Sequence, residues 1–459
     1  MLVMESINPA TGERIATYDP HTDEELEEAL ENAHNAAADW GETRFSTRQR
    51  LLENAADVLR ENKRDYAETI TAEMGKPISQ AIAEVEKSAW GCEYYAEHAD
   101  EYLQDEVVGT KPGVKSYVRY EPLGVIFAIM PWNYPFWQAF RFAIVNLAAG
   151  NVGLLKHASN VSGSALAIEE VFREAGFPPH TFQTLLIGSS RVEDIITDDR
   201  VAAVTLTGSE RAGEAVAATA GANLKKTVLE LGGSDPFVVL EDADLEHASD
   251  VAVTARQQNS GQSCIAAKRF IVQDQVYDEF LELLQRKTEE LVVGDPMDEE
   301  TDVGPQARED LLEELHDQVQ QSIDDGATLI TGGERLDRDG YFYPPTILAD
   351  VPKTCPAASE ETFGPVSAVL RVSDAEEAVA VANDTPYGLG GSVWTQDLER
   401  GERLAKQVDA GLVFVNELPK SDPRLPFGGI KMSGYGRELG RDGIQEFVNK
   451  KTVWVESPE

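Results

Sequence analysis

Beyond residue 124 the chain alternates short apolar runs, closed by glycines or small polar residues, with segments of helical periodicity. The runs 125–130, 152–155, 182–187, 201–206 and 227–231 come first, and 237–240, 267–272, 366–372, 391–394 and 413–416 follow Gly232-Gly233. Runs without polar alternation are buried on both faces, and helices between them return the chain so that the strands lie parallel. The predicted fold is therefore α/β. A Rossmann-like doubly wound parallel sheet is followed by a second α/β region with helices at 243–258, 276–291, 307–325, 374–382 and 397–408. Ligands of such sheets bind past the carboxyl ends of the strands, so the turns there are where chemistry is to be sought.

Upstream, residues 5–18 read as a hairpin turning at Asn8-Pro9-Ala10-Thr11-Gly12, and helical patterns follow. Ser46 and Gln49 have the spacing of a capping box, and 78–103 reads as a further helix. Residues 114–121 alternate like an exposed strand; with the strand-like segment 452–456 they can form a small sheet that reaches another subunit. At 459 residues the chain is long enough for two or three domains.

The charge balance is lopsided: 81 acidic against 40 basic residues gives a net charge of −41. Such a surface repels phosphate backbones and anionic headgroups, which disfavours nucleic-acid and membrane partners. The seven acids between Asp19 and Glu31, with no base among them, read as a solvated helix face. Self-repulsion of this size is relieved by salt, so a salt-rich cytoplasm and a halophilic source are expected. The three cysteines, Cys92, Cys264 and Cys355, are far apart and show neither a disulfide framework nor metal-ligand spacing, which suits a reducing compartment. Residues 1–19 lack a signal-peptide pattern. The longest apolar stretch, 124–149, is broken by Pro131, Asn133, Pro135 and Arg141 and does not read as a membrane span.

Several turns carry candidate chemistry. Asn259-Ser260-Gly261-Gln262-Ser263-Cys264 puts a thiol among small residues between a helix and a strand. Cys264 is there either a nucleophile or an inert buried thiol. In Pro131-Trp132-Asn133-Tyr134-Pro135 two prolines stiffen a loop around an amide, which serves either as an oxyanion donor or as an Asx turn. Lys156, in Leu155-Lys156-His157-Ala158-Ser159, is placed for ribose or phosphate, or is a surface lysine. Thr207-Gly208-Ser209-Glu210 joins a strand to a helix, whose first amides can hold a pyrophosphate. Glu230, in Leu229-Glu230-Leu231-Gly232-Gly233, sits at an apolar strand end, where desolvation raises a carboxyl toward general-base range; pairing with Lys225 or Lys226 is the alternative.

Together with Glu361-Thr362-Phe363-Gly364-Pro365 and Pro426-Phe427-Gly428-Gly429-Ile430-Lys431-Met432-Ser433-Gly434, these stretches occur in one order over nearly the whole chain. In this the sequence resembles the aldehyde dehydrogenase superfamily. The wording Met-Pro-Trp-Asn-Tyr-Pro, Leu-Lys-His-Ala and Leu-Glu-Leu-Gly-Gly-Ser-Asp-Pro is most similar to its prokaryotic succinate-semialdehyde dehydrogenase branch. The resemblance implies that Cys264 attacks the aldehyde, that Asn133 and the Cys264 amide stabilise the oxyanion, and that Glu230 activates water to hydrolyse the thioester. It implies NAD or NADP as cofactor, held by Glu361 and Phe363 at the nicotinamide end, Lys156 at the adenine ribose and Ser209 at the pyrophosphate, with Trp132, Ser159, Gly188, Gly208 and Leu231 lining the site. No metal is implied. The domains would be 1–105 with 122–231 for the cofactor, 232–425 for catalysis, and 106–121 with 440–459 as oligomerisation strands of a homodimer or homotetramer.

Ser159 stands where relatives that prefer NAD often carry a glutamate, so a 2′-phosphate is tolerated and NADP use is expected. His157 replaces a common proline and is given no catalytic part. For a carboxylate-bearing aldehyde the resemblance aligns Arg141 and Ser421 with the branch's carboxylate-binding pair. A second arginine of some relatives is Gln258 here, leaving Arg256, Lys420 or Arg424 as substitutes. The expected reaction is oxidation of succinate semialdehyde to succinate. The alternatives are glutarate or 2-oxoglutarate semialdehyde, a broad aliphatic range, thioester formation with coenzyme A, or a non-catalytic relative.

Overall fold

The computed structural model describes residues 4–457 apart from Gly113. Its first large sheet has six strands in the spatial order Gly434–Tyr435, Lys226–Glu230, Val201–Thr207, Val125–Met130, Val152–His157, Phe182–Thr184. All neighbours are parallel except the two-residue Gly434–Tyr435, which caps the edge antiparallel to Lys226–Glu230. The second sheet has seven strands, ordered Thr328–Thr331, Thr346–Ala349, Val366–Val372, Ala267–Gln273, Asp235–Val239, Ser392–Trp394, Phe414–Val415. It too is parallel but for its first pair. Two parallel α/β sheets are what the apolar runs predicted. The short antiparallel strands at their edges carry no apolar run of their own and were not legible.

Helices cover the sheets because the strands have no polar face. Pro135–Ala149 is buried along its whole length, packed between the first sheet and Ile78–Tyr102. Apart from Arg141 it carries no charge, since no other charge would find an answer there. Ile78–Tyr102 buries Ala81, Val85, Ala89, Cys92, Ala96 and Ala99, a small-residue stripe that lets the two helices approach closely. The acidic run near the N-terminus forms the exposed face of Asp23–Gly41, whose apolar side buries Leu26, Ala29, Leu30 and Ala33.

Some local expectations are corrected. Ser46 and Gln49 form no capping box: the helix starts one residue earlier, at Phe45, behind Arg44, so Ser46 already lies inside the first turn. A capping box does form at Thr22 and Glu25. The strand expected over 182–187 ends at Thr184, and the backbone beyond it turns. Strand Val448–Glu456 pairs along its full length with Val114–Pro122, and Glu106–Val107 adds the third strand of this small sheet. Residues 440–447, expected in the same sheet, instead form the short helix Gly440–Ile444 and a turn against the main core, where Ile444 and Phe447 are buried. The Tyr95 hydroxyl donates to the Gly440 carbonyl at 3.0 Å and Asn151 Nδ2 to that of Phe447 at 2.8 Å, anchoring the segment before the strand leaves.

Candidate active site

Cys264 follows a turn that few sequences tolerate. After helix Leu245–Gln257, residues Asn259, Ser260 and Gly261 have φ of 56°, 54° and 74°, three consecutive left-handed residues. Each non-glycine residue in that conformation costs roughly 1–2 kcal/mol, so the turn persists only where its surroundings over-determine it. Here they do. Gln80 Oε1 accepts from the Asn259 amide at 2.7 Å, Asn259 Nδ2 donates to the Asn133 and Gln262 carbonyls, and Ser260 Oγ accepts from the Gly304 amide at 2.9 Å. Gly261 is required in particular, because a Cβ there would collide with the Gly364 carbonyl. The thiol emerges partly exposed where two cavities meet, of about 520 and 550 Å³.

Lys268, a residue given no role from sequence, braces this loop: its fully buried ammonium donates to the carbonyls of Ser263 (3.0 Å) and Cys264 (2.7 Å) and lies 3.4 Å from Glu361 Oε1. Burial pushes the Cys264 thiol up to about 12, while Lys268 and Arg141 pull it down. The resting thiol is thus protonated at neutral pH. Asn133 lies across the junction. Gln138 Nε2 donates to its Oδ1 at 3.1 Å, which fixes the amide orientation, and one Nδ2 proton goes to the Gln262 carbonyl at 3.0 Å. The other Nδ2 proton is left for a ligand beside Cys264, as an oxyanion donor requires.

Glu230 ends its strand as expected but does not face either cavity. Its carboxyl is fully buried against Gly428, where both oxygens lack hydrogen-bond partners, and neither Lys225 nor Lys226 pairs with it. Desolvation, with the neighbouring Glu438 carboxyl next, holds it well above the usual range. In this position Glu230 is a neutral acid, and service as a base requires its side chain to turn toward Cys264.

The 550 Å³ cavity collects most of the residues expected for the cofactor: Trp132, Asn133, Gly208, Ser209, Leu231, Glu361 and Phe363. Trp132 and Phe363 meet edge to face at 5.6 Å and 85°. Glu361 Oε1 accepts from the Gly233 amide at 2.9 Å, leaving Oε2 for a ligand hydroxyl. Ser209 caps helix Glu210–Ala222 without bonding its first amides, which remain open to an anion. These features fit a dinucleotide. Lys156, Ser159 and Gly188 lie outside the cavity wall, at the ends of the neighbouring strands, where its adenine end would extend. His157 is a buckle: one ring nitrogen bonds the Pro135 carbonyl at 2.9 Å and the other accepts from the Ala158 amide at 3.0 Å, and burial lowers its pKa to about 4.

The 520 Å³ cavity opens on the other side of Cys264 and contains Arg141 and Ser421, as expected for substrate. Arg141, however, is ion-paired with Glu438 and stacked over the Phe427 ring at 4.4 Å; its charge is already answered because both partners are buried together. Of the three proposed substitutes only Lys420 lines this cavity, and each is held by a partner. Arg256 is buried against the carbonyls of Thr362 and Gly364, Lys420 pairs with Glu417 at 2.8 Å, and Arg424 pairs with Asp422 at 2.6 Å. Lys87, a lysine to which the sequence drew no notice, donates to Ser421 Oγ at 2.8 Å from helix Ile78–Tyr102.

Known proteins resemble this chain over nearly its whole length. The aldehyde dehydrogenase family model matches residues 2–453. The chain is 54% identical over 454 residues, 99% of its length and 100% of the relative's, to a probable succinate-semialdehyde dehydrogenase [NADP(+)] of Synechocystis sp.. It is 51% identical over 452 residues, 98% of its length and 99% of the relative's, to succinate-semialdehyde dehydrogenase [NADP(+)] 1 of Mycobacterium tuberculosis. The crystal structure of succinic semialdehyde dehydrogenase from Streptococcus pyogenes, in complex with NADP+, superposes with a TM-score of 0.97 at 41% identity, covering 99% of this chain and 100% of that one. A match running from residue 2 to residue 453, with half of all positions shared, places this chain in the aldehyde dehydrogenase family.

Proposed function

We propose that the protein oxidises succinate semialdehyde to succinate with NADP+ and that Cys264, Asn133 and Glu230 carry the chemistry. The carrying observation is the position of Cys264, between an acid-lined cavity that fits a dinucleotide and a second cavity lined by Lys87, Arg141 and Lys420. Cys264 loses its thiol proton to solvent, the thiolate adds to the aldehyde carbon, and the free Nδ2–H of Asn133 stabilises the oxygen that becomes charged. When bound, NADP+ supplies the hydride acceptor, and the sulfur is left carrying an acyl group. Glu230, turned out of its buried position, regains solvation, becomes a carboxylate and takes a proton from the water that cleaves the thioester. Ser159 offers no negative charge against a 2′-phosphate, and the relatives named for NADP support that preference. Two-carbon to six-carbon aldehydes and semialdehydes, assayed with both cofactors, test the reading: kcat/KM is expected to be highest for succinate semialdehyde with NADP+. A maximum on an uncharged aldehyde, or with NAD+, overturns the corresponding half.

The same reading extends to assembly and setting. The small sheet presents Val107, Trp454 and Val455 to solvent, which supports a homodimer or homotetramer built through it. The domain division follows the two large sheets and this arm. The net charge of −41 supports a cytoplasm rich in salt.

A further inference from the structure

We propose that Lys87 supplies the charge that selects an ω-carboxy aldehyde, holding the substrate's carboxylate in a seat beside the Ser421 hydroxyl, which the resemblance already aligns with substrate binding. This rests on the reaction proposed above and names its specificity determinant.

Three cations line the 520 Å³ cavity: Lys87, Arg141 and Lys420. Two are already answered, Arg141 by Glu438 and Lys420 by Glu417. Among the described residues Lys87 has no carboxylate within ion-pair distance. Its neighbours explain why. Glu84, one turn back on the same helix, is taken by the buried Lys76 and by the amides of Phe136 and Trp137, and Asp422 is taken by Arg424. Lys87 lies over the Trp137 ring at 4.8 Å, which keeps water from one side of the ammonium.

Ser421 completes the seat by its hydrogen-bond inventory. Its Oγ accepts from Lys87 Nζ at 2.8 Å and from Trp137 Nε1 at 2.9 Å, which fills both acceptor positions of a hydroxyl. The hydroxyl proton therefore points away from both donors and needs an acceptor. Of the three ammonium protons only one is used. A carboxylate meets both demands at once: one oxygen takes the Ser421 proton and the other an ammonium proton. Arg141 keeps an unpartnered Nη2 and can add a hydrogen bond, but its guanidinium is held by Glu438.

The groups facing Lys87 also set a pH dependence. Burial and the Arg141 and Lys420 charges lower the Lys87 ammonium, Glu84 and Asp422 raise it, and the balance stands at about 8. Below that pH the seat is cationic and holds the carboxylate; above it the charge is lost and KM rises. A neutral aldehyde does not experience this change.

The test compares kcat/KM for succinate semialdehyde with that for butanal, in wild type and in Lys87→Met. The ratio of the two is expected to fall about 50-fold in the variant, mostly through KM. An unchanged ratio overturns the role of Lys87, whereas a wild type without preference for succinate semialdehyde overturns the reaction proposed above. Should Lys87→Met not fold, the wild-type pH profile decides. KM for succinate semialdehyde is expected to rise about tenfold between pH 7 and 9.5 with no parallel rise for butanal, and parallel profiles overturn the proposal.

Discussion

The two cavities that meet at Cys264 are close in size and opposite in electrostatic character. The cofactor side is walled by Glu210, Glu314, Glu360 and Glu361 against a single Arg308. The substrate side holds Lys87, Arg141 and Lys420, and of its two carboxylates Glu84 is consumed by the buried Lys76. A cationic nicotinamide suits the first and a carboxylate-bearing aldehyde the second. The thiol sits on the boundary, where the two fields oppose each other, and its ionisation is sensitive to what occupies either side. One nucleophile thus faces the cationic ring of the cofactor on one side and the carboxylate-bearing aldehyde on the other.

The boundary is broken most completely by Cys264→Ala, which is expected to lower aldehyde oxidation by more than ~10³-fold while leaving cofactor binding, followed by fluorescence titration, in place. Asn133→Ala removes the free amide proton at the junction; kcat in steady-state assays should fall about 10²–10³-fold. On the cofactor side, Ser159→Glu places a carboxylate where the 2′-phosphate is expected, and the NADP+ to NAD+ ratio of kcat/KM should drop by roughly 10–100-fold. The pH dependence sharpens the contrast. Cys264 and Glu230 are both held protonated by burial, so kcat should climb from pH 6 to 9 as they lose protons, with no acid-side optimum in rate profiles. The smallest effects belong to Cys92 and Cys355. Both are buried away from the cavities, so serine at either position should cost about 1–3 kcal/mol in urea unfolding and less than twofold in kcat.

How much of this was legible in the chain depended on the range of the interaction. Apolar runs report burial directly, and they located the strands of both sheets well enough to place Asn133, Lys156, Ser209 and Glu230 at strand ends. Motif spacing located Cys264. The braces were silent because each joins distant segments: Lys87 reaches Ser421 across 334 positions, and Gln80 reaches Asn259 across 179. Lys268 looked like one more charge at the start of a strand, yet it is completely buried under the thiol loop. Arg141 was singled out by the family resemblance, but its partner Glu438 lies too far along the chain for the pairing to be read. Side-chain orientation was equally hidden, which is why Glu230 appears at the right strand end and turned the wrong way.

The left-handed turn at Asn259–Gly261 has a consequence for the life of the chain before it is finished. Its clasps come from Gln80, Asn133, Gly304 and Gln306, so the geometry that presents the thiol does not exist until segments on both sides of it have docked. A nascent or partly unfolded molecule carries only an ordinary cysteine at position 264. The placement of the thiol beside the Asn133 amide is therefore issued late, as a certificate of completed folding, and withdrawn as soon as the fold opens.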